Sequence, residues 1–100
     1  MSESKEKQMF REIIGWYKED PQRWVQGRMV VHEGHSNEQR CLAGAAWKFG
    51  SKYFPIDGSF YAGWGQLNRK LPIMCTALND CAENFDEFIT TCEKYLEQMT

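Results

Sequence analysis

No stretch of this sequence approaches the eighteen or so consecutive apolar residues of a membrane-crossing helix, and its first residues, MSESKEKQMF, are charged where a secretory signal is hydrophobic. Neither a membrane span nor a secreted protein is therefore expected. The four cysteines, Cys41, Cys75, Cys81 and Cys92, stand 34, 6 and 11 positions apart and include no C-x-x-C pair. Without a signal peptide, that usage points to a reducing, cytoplasmic compartment. Glycine-rich phosphate loops, metalloprotease helices and G-x-S-x-G elbows are also missing, so no motif announces an enzyme class.

A strongly basic balance is lacking too. The formal charge is −2, which argues against a dedicated nucleic-acid binder, whose domain usually carries a basic stripe. The charge is unevenly spread, with seven Lys/Arg against three acids in residues 21–72 and one Lys against six acids in residues 73–100. The acidic end could mimic a polyanion, but acids around a helix start more often face water as partners of the helix dipole.

Large apolar side chains are plentiful. Four Trp, six Phe and four Tyr in 100 residues supply enough surface to close one small core without disulfide or metal staples. A single domain over 1–100, ordered from about 4 to 98, is expected. Met9, Phe10, Ile13, Ile14 and Tyr17 recur at helical spacing and predict a first helix over 4–19, ended by Asp20-Pro21. QRWVQG is then a turn that delivers Trp24. GRMVVHEG, bounded by Gly27 and Gly34, reads as a strand or hairpin arm over about 27–32.

Ser36 with Gln39 fits a capping box, and Gly50 fits a helix-ending residue, so a second helix is predicted over 37–49. Loop residues rich in glycine and aromatics lead to a helix at about 60–70, and a short turn through ALND follows Pro72. Phe85, Phe88, Ile89, Cys92, Tyr95, Leu96 and Met99 predict the last helix, started by Asn84 with Glu87. The fold class expected is α+β, mostly helical, with about four helices and a short β-strand or hairpin.

Cys41 is the first candidate for chemistry. A nucleophilic thiolate needs a helix N-terminus, a cation or a histidine base. In a helix starting near Ser36 it sits past the first turn, while Cys41, Leu42, Ala45, Ala46 and Phe49 share one face on which cysteine packs as a small hydrophobe. Gly44 admits a close neighbour, such as the Trp24 ring. A thiol enzyme using Cys41 with His32 or His35 remains a minor alternative, and zinc held by His32, His35 and Cys41, with Cys75 or Cys81, is another, although the spacing matches no standard site. No catalytic, cofactor or metal residue is assigned. FYAGWG could present Tyr61 and Trp64 as an aromatic platform, and Asn79-Asp80 could supply polar anchoring. These four residues are the contact candidates.

WVQG at 24–27, RCLAGA at 40–45, ALND at 77–80 and ENFDEFITTCEKYLEQ at 83–98 together resemble an uncharacterised family of bacterial, especially actinobacterial, and phage proteins. The resemblance spans about residues 6–98 and makes Trp24, Gly27, Cys41, Gly44, Ala45, Asn79 and Asp80 signature positions without assigning them a reaction. Leucine stands at 78, where members commonly carry tryptophan. The resemblance implies a phage or bacterial accessory protein.

The expectation is a small non-enzymatic interaction module that binds a host protein, with no nucleic acid, no membrane and no cofactor, and with a homodimer as one possible assembly. The alternative is a small-ligand or nucleotide sensor, with a pocket between the second helix and the 54–66 loop.

Overall fold

The structure, a computed structural model, describes residues 3–55 and 62–99. Helix α1 spans Lys5–Glu19 and starts where Ser4 Oγ accepts the Lys7 amide at 3.2 Å. Its apolar stripe, Met9, Phe10, Ile13, Ile14 and Tyr17, is entirely buried. The following Asp20 accepts the Gln22 amide and Pro21 takes the first position of a single 3₁₀ turn, Pro21–Arg23.

Strand β1, Val30–Val31, pairs antiparallel with β2, Gln39–Arg40, setting Val30 opposite Arg40 and Val31 opposite Gln39. Trp24 adds one parallel bridge on the other side, at Arg40. The reversal between the strands uses left-handed backbone at His32, φ 56°, and at Gly34, φ 81°. Four helices follow: α2 at Leu42–Tyr53, α3 at Ala62–Lys70, α4 at Cys75–Asp80 and α5 at Phe85–Gln98. The fold of the described residues is thus α+β and mostly helical, five helices with a two-stranded antiparallel sheet.

Two sequence expectations around α2 are corrected. Ser36 and Gln39 do not form a capping box, because Gln39 and Arg40 are the missing partner strand and the helix begins only at Leu42. Strand pairing here prevails over a local cap signal. Gly50 does not end the helix either; it lies buried inside it, and α2 runs on to Tyr53.

The reason for Gly50 lies in α3. A Cβ on Gly63 would stand 2.2 Å from the Ala46 carbonyl oxygen and 2.6 Å from Gly50 Cα, so α2 and α3 cross with glycine on both sides. Gly44 is explained the same way but not by the Trp24 ring: its missing Cβ would lie 1.9 Å from the Met29 carbonyl oxygen. That oxygen also accepts the Cys41 amide at 3.3 Å, which draws the strand against the start of α2.

The turn through ALND is the six-residue helix α4. Helix α5 starts as its sequence predicts, with Asn84 Oδ1 accepting the Glu87 amide at 2.8 Å. It contributes Phe88, Ile89 and Cys92 to the core, where Phe88 stacks on Trp24 at 5.1 Å and meets Tyr17 edge-on at 5.4 Å. Each fully buried ring or branched aliphatic adds about 1.5–3 kcal/mol relative to exposure, so the α1 and α5 stripes carry much of the stability. No helix among the described residues is long and apolar enough to cross a membrane.

Candidate functional site

Trp24, Gly27 and Asp80 are tied together at Asn79, at the end of α4. Its side chain is fully buried, and its amide uses all of the following contacts. Oδ1 accepts the Trp24 indole N–H at 2.8 Å and the Leu42 amide at 2.9 Å, while Nδ2 donates to the Val25 carbonyl at 3.0 Å and to Asp80 Oδ1 at 2.9 Å. Leu42 is the first residue of α2, so Asn79 satisfies one of the amides that a helix start leaves without a partner. Asp80, itself exposed, also accepts the Gly27 amide at 3.1 Å, and Gln26 Nε2 donates to the Ala82 carbonyl at 2.8 Å. WVQG and ND are thus the two halves of one latch that ties the 24–27 segment to α4 and α2.

Cys41 occupies the cap position of α2 rather than its second turn, but its thiol makes no capping hydrogen bond. Burial pushes its pKa up and outweighs the favourable first-turn amides of Gly44 and Ala43. Cys75 is pushed to about 12 and Cys92 also upward, both chiefly by burial; Cys81 is the exposed thiol. His32 and His35 sit in the exposed turn between the strands. Among the described residues no group of three or more His, Cys, Asp or Glu is placed to hold a metal ion, so His32, His35 and Cys41 are not brought together as ligands.

Of the aromatic platform, Tyr61 lies outside the described residues, and Trp64 is half-buried against the core. The pocket expected between α2 and the 54–66 loop also falls partly on residues outside the described ones. Among the described residues, the large apolar side chains left most exposed are Ile73, at 39%, and Met74, at 57%, in the connection between α3 and α4. Arg69 and Lys70, both exposed, precede them at the end of α3.

A second feature opens between the end of α1, the 32–38 turn and α2. Arg23 crosses back to donate from Nη1 to the Trp16 carbonyl at 2.8 Å, and its guanidinium lies 5.1 Å from the Trp16 ring centre. Lys48 Nζ approaches the same ring at 5.6 Å. Glu38 faces them and accepts from the Gly34 amide at 2.9 Å, Arg40 Nε at 3.0 Å and Lys48 Nζ at 3.0 Å. These donors hold its carboxyl down at about 2 in spite of burial. The buried Arg40 is completed by the Gly44 carbonyl, 2.9 Å from Nη1, so its charge is compensated as burial requires.

Neither feature was evident in the sequence. Pro72, Ile73 and Met74 fall between two periodic helical patterns, which is the signal that could have exposed them. Trp16, Arg23 and Lys48 come from three separate elements, so no spacing relates them. No family model matches this chain, and neither a curated protein nor a solved structure matches it.

Proposed function

We propose that this protein is a small non-enzymatic interaction module that acts in the cytoplasm by binding another protein through residues 69–74. The observation that carries the reading is the exposure of Ile73 and Met74 side by side. A large apolar side chain held in water gains about 1.5–3 kcal/mol when a partner buries it fully, and proportionally less when it is already half covered. Arg69 and Lys70 beside them add charges that favour an acidic rim on the partner and penalise a basic one. The partner chemistry is therefore an apolar patch bordered by Asp or Glu. The resemblance of the signature residues to bacterial and phage proteins favours a host protein in that role.

A photo-crosslinking residue placed at Met74 tests this directly, with Glu97, exposed on α5, as the control position. In bacterial cells, a discrete heterologous adduct from position 74 and none from position 97 supports the reading. An adduct containing two copies of this chain, or no adduct at all, contradicts it.

A further inference from the structure

We infer that the cleft between the end of α1, the 32–38 turn and α2 binds a small polar molecule through a phosphate monoester, gripped by Arg23, Lys48 and Ser36 above Trp16. The cavity there measures about 320 Å³ and is lined by Trp16, Arg23, His35, Ser36, Glu38 and Lys48. That volume lies at the small end of ordinary ligand sites, which pair an aromatic wall with a few convergent polar groups.

The charge on these walls favours an anion. Two cations face one carboxylate, and the carboxylate is already engaged by Gly34, Arg40 and Lys48. Arg23 uses two of its five donors, on the Trp16 carbonyl and on Glu19. The Glu19 partner is 73% exposed, an ion pair that water and ligand displace at little cost. Lys48 spends one donor on Glu38, which keeps Arg40 if Lys48 turns away. The Ser36 hydroxyl and His35 ring make no hydrogen bond with the described residues.

Phosphate suits this set better than carboxylate. The spare donors belong to three separate side chains of the cavity wall, a guanidinium, an ammonium and a hydroxyl, and a phosphate monoester offers three terminal oxygens to share among them where a carboxylate offers two. The guanidinium is also fixed in advance by the Trp16 carbonyl and ring, which lowers the ordering cost of binding. An adjoining cavity of about 230 Å³, bordered by Asp20, His32, Asn37 and Gln39, shares Arg23, Ser36 and Glu38 with the first. Its polar walls fit a hydroxyl-rich body such as a sugar.

Amide NMR titration with glucose 6-phosphate, glucuronate, glucose and inorganic phosphate tests the assignment. Glucose 6-phosphate should give saturable shifts at the Gly34, Ser36 and Lys48 amides, with glucuronate weaker by about tenfold, the loss expected for a charge-assisted hydrogen bond, and glucose weaker still. Lys48→Met keeps an aliphatic stem over Trp16 and should weaken the sugar phosphate by about tenfold while lowering the melting temperature only slightly, since Glu38 retains the Arg40 and Gly34 donors. Ser36→Ala, in the exposed turn, should also weaken it. Absence of saturable shifts, or undiminished affinity in Lys48→Met, overturns the site. Glucuronate binding as tightly as the sugar phosphate overturns the phosphate assignment, and inorganic phosphate binding as tightly overturns the role of the adjoining cavity.

Discussion

The Trp24 indole N–H points at Asn79 Oδ1 across 2.8 Å, joining residues 55 positions apart in the chain. The same oxygen takes the first amide of α2, so one side chain fixes the Trp24 segment, α4 and the start of α2 relative to each other. Asn79→Ala strands the buried Leu42 amide and leaves the half-buried Trp24 indole and Val25 carbonyl without their partner. A loss of about 2–4 kcal/mol is expected in urea unfolding, since a buried unsatisfied group costs about 1–3 kcal/mol and half-buried ones recover part of that from water. Asn79→Asp should also destabilise, because it removes the Nδ2 donor and sets a second carboxylate beside Asp80. A loss under about 1 kcal/mol in both variants would remove the latch from the account.

The glycines of α1 and α2 separate helix propensity from packing. Gly15 is exposed in α1 with no atom near its missing Cβ, so Gly15→Ala should stabilise by about 0.5–1 kcal/mol. Gly44→Ala gains the same propensity but drives a methyl into the Met29 carbonyl, and should destabilise by about 1–3 kcal/mol. Thermal melts of the two variants should therefore shift in opposite directions.

Glu38 makes stability depend on acid. Its folded pKa of about 2 lies below the ordinary carboxylate value, so its contribution is present above that ordinary value and fades as pH falls through the folded one. The full shift overstates the effect because the cleft is open to water, and roughly 1–2 kcal/mol is expected. Glu38→Gln should lose that amount at neutral pH and show a flatter decline between pH 5 and 2, read by urea unfolding across that window. Equal pH profiles would mean the ion pairs contribute nothing.

Thiol labelling at neutral pH should proceed at Cys81 first. Cys41, Cys75 and Cys92 are buried and held protonated, so they react only through opening of the fold, roughly 100-fold or more slowly. Mass spectrometry after brief iodoacetamide exposure gives the order. A fast Cys41 would instead support the thiol-enzyme alternative.

Periodicity made the long amphipathic helices legible. The stripes of α1 and α5, together with the caps at Asn84 and at the Asp20-Pro21 junction, depend on neighbours within a turn and are read locally. The start of α2 was not legible. Ser36 and Gln39 carry a valid cap pattern, and what overrides it is the pairing of Gln39–Arg40 with Val30–Val31, a contact made across the 32–38 turn. The reason for Gly44 was hidden for a similar cause, since a passing carbonyl leaves no trace in the local sequence. Asn79 and Asp80 stood out as polar residues, yet their bonds to Trp24 and Gly27 depend on tertiary placement. The cleft at Trp16 and the exposed pair at 73–74 likewise exist only once the helices have packed.

Ile73 and Met74, the proposed partner contacts, are exposed side chains that the fold does not need. The measurement that tests this most directly is a comparison of Ile73→Ser/Met74→Ser with the unaltered protein, in thermal stability and in pull-down of the partner first identified by crosslinking from position 74. We predict an unchanged melting temperature and capture reduced about tenfold or more, as loss of a central apolar contact requires. Undiminished capture, or loss of capture accompanied by unfolding, would contradict it.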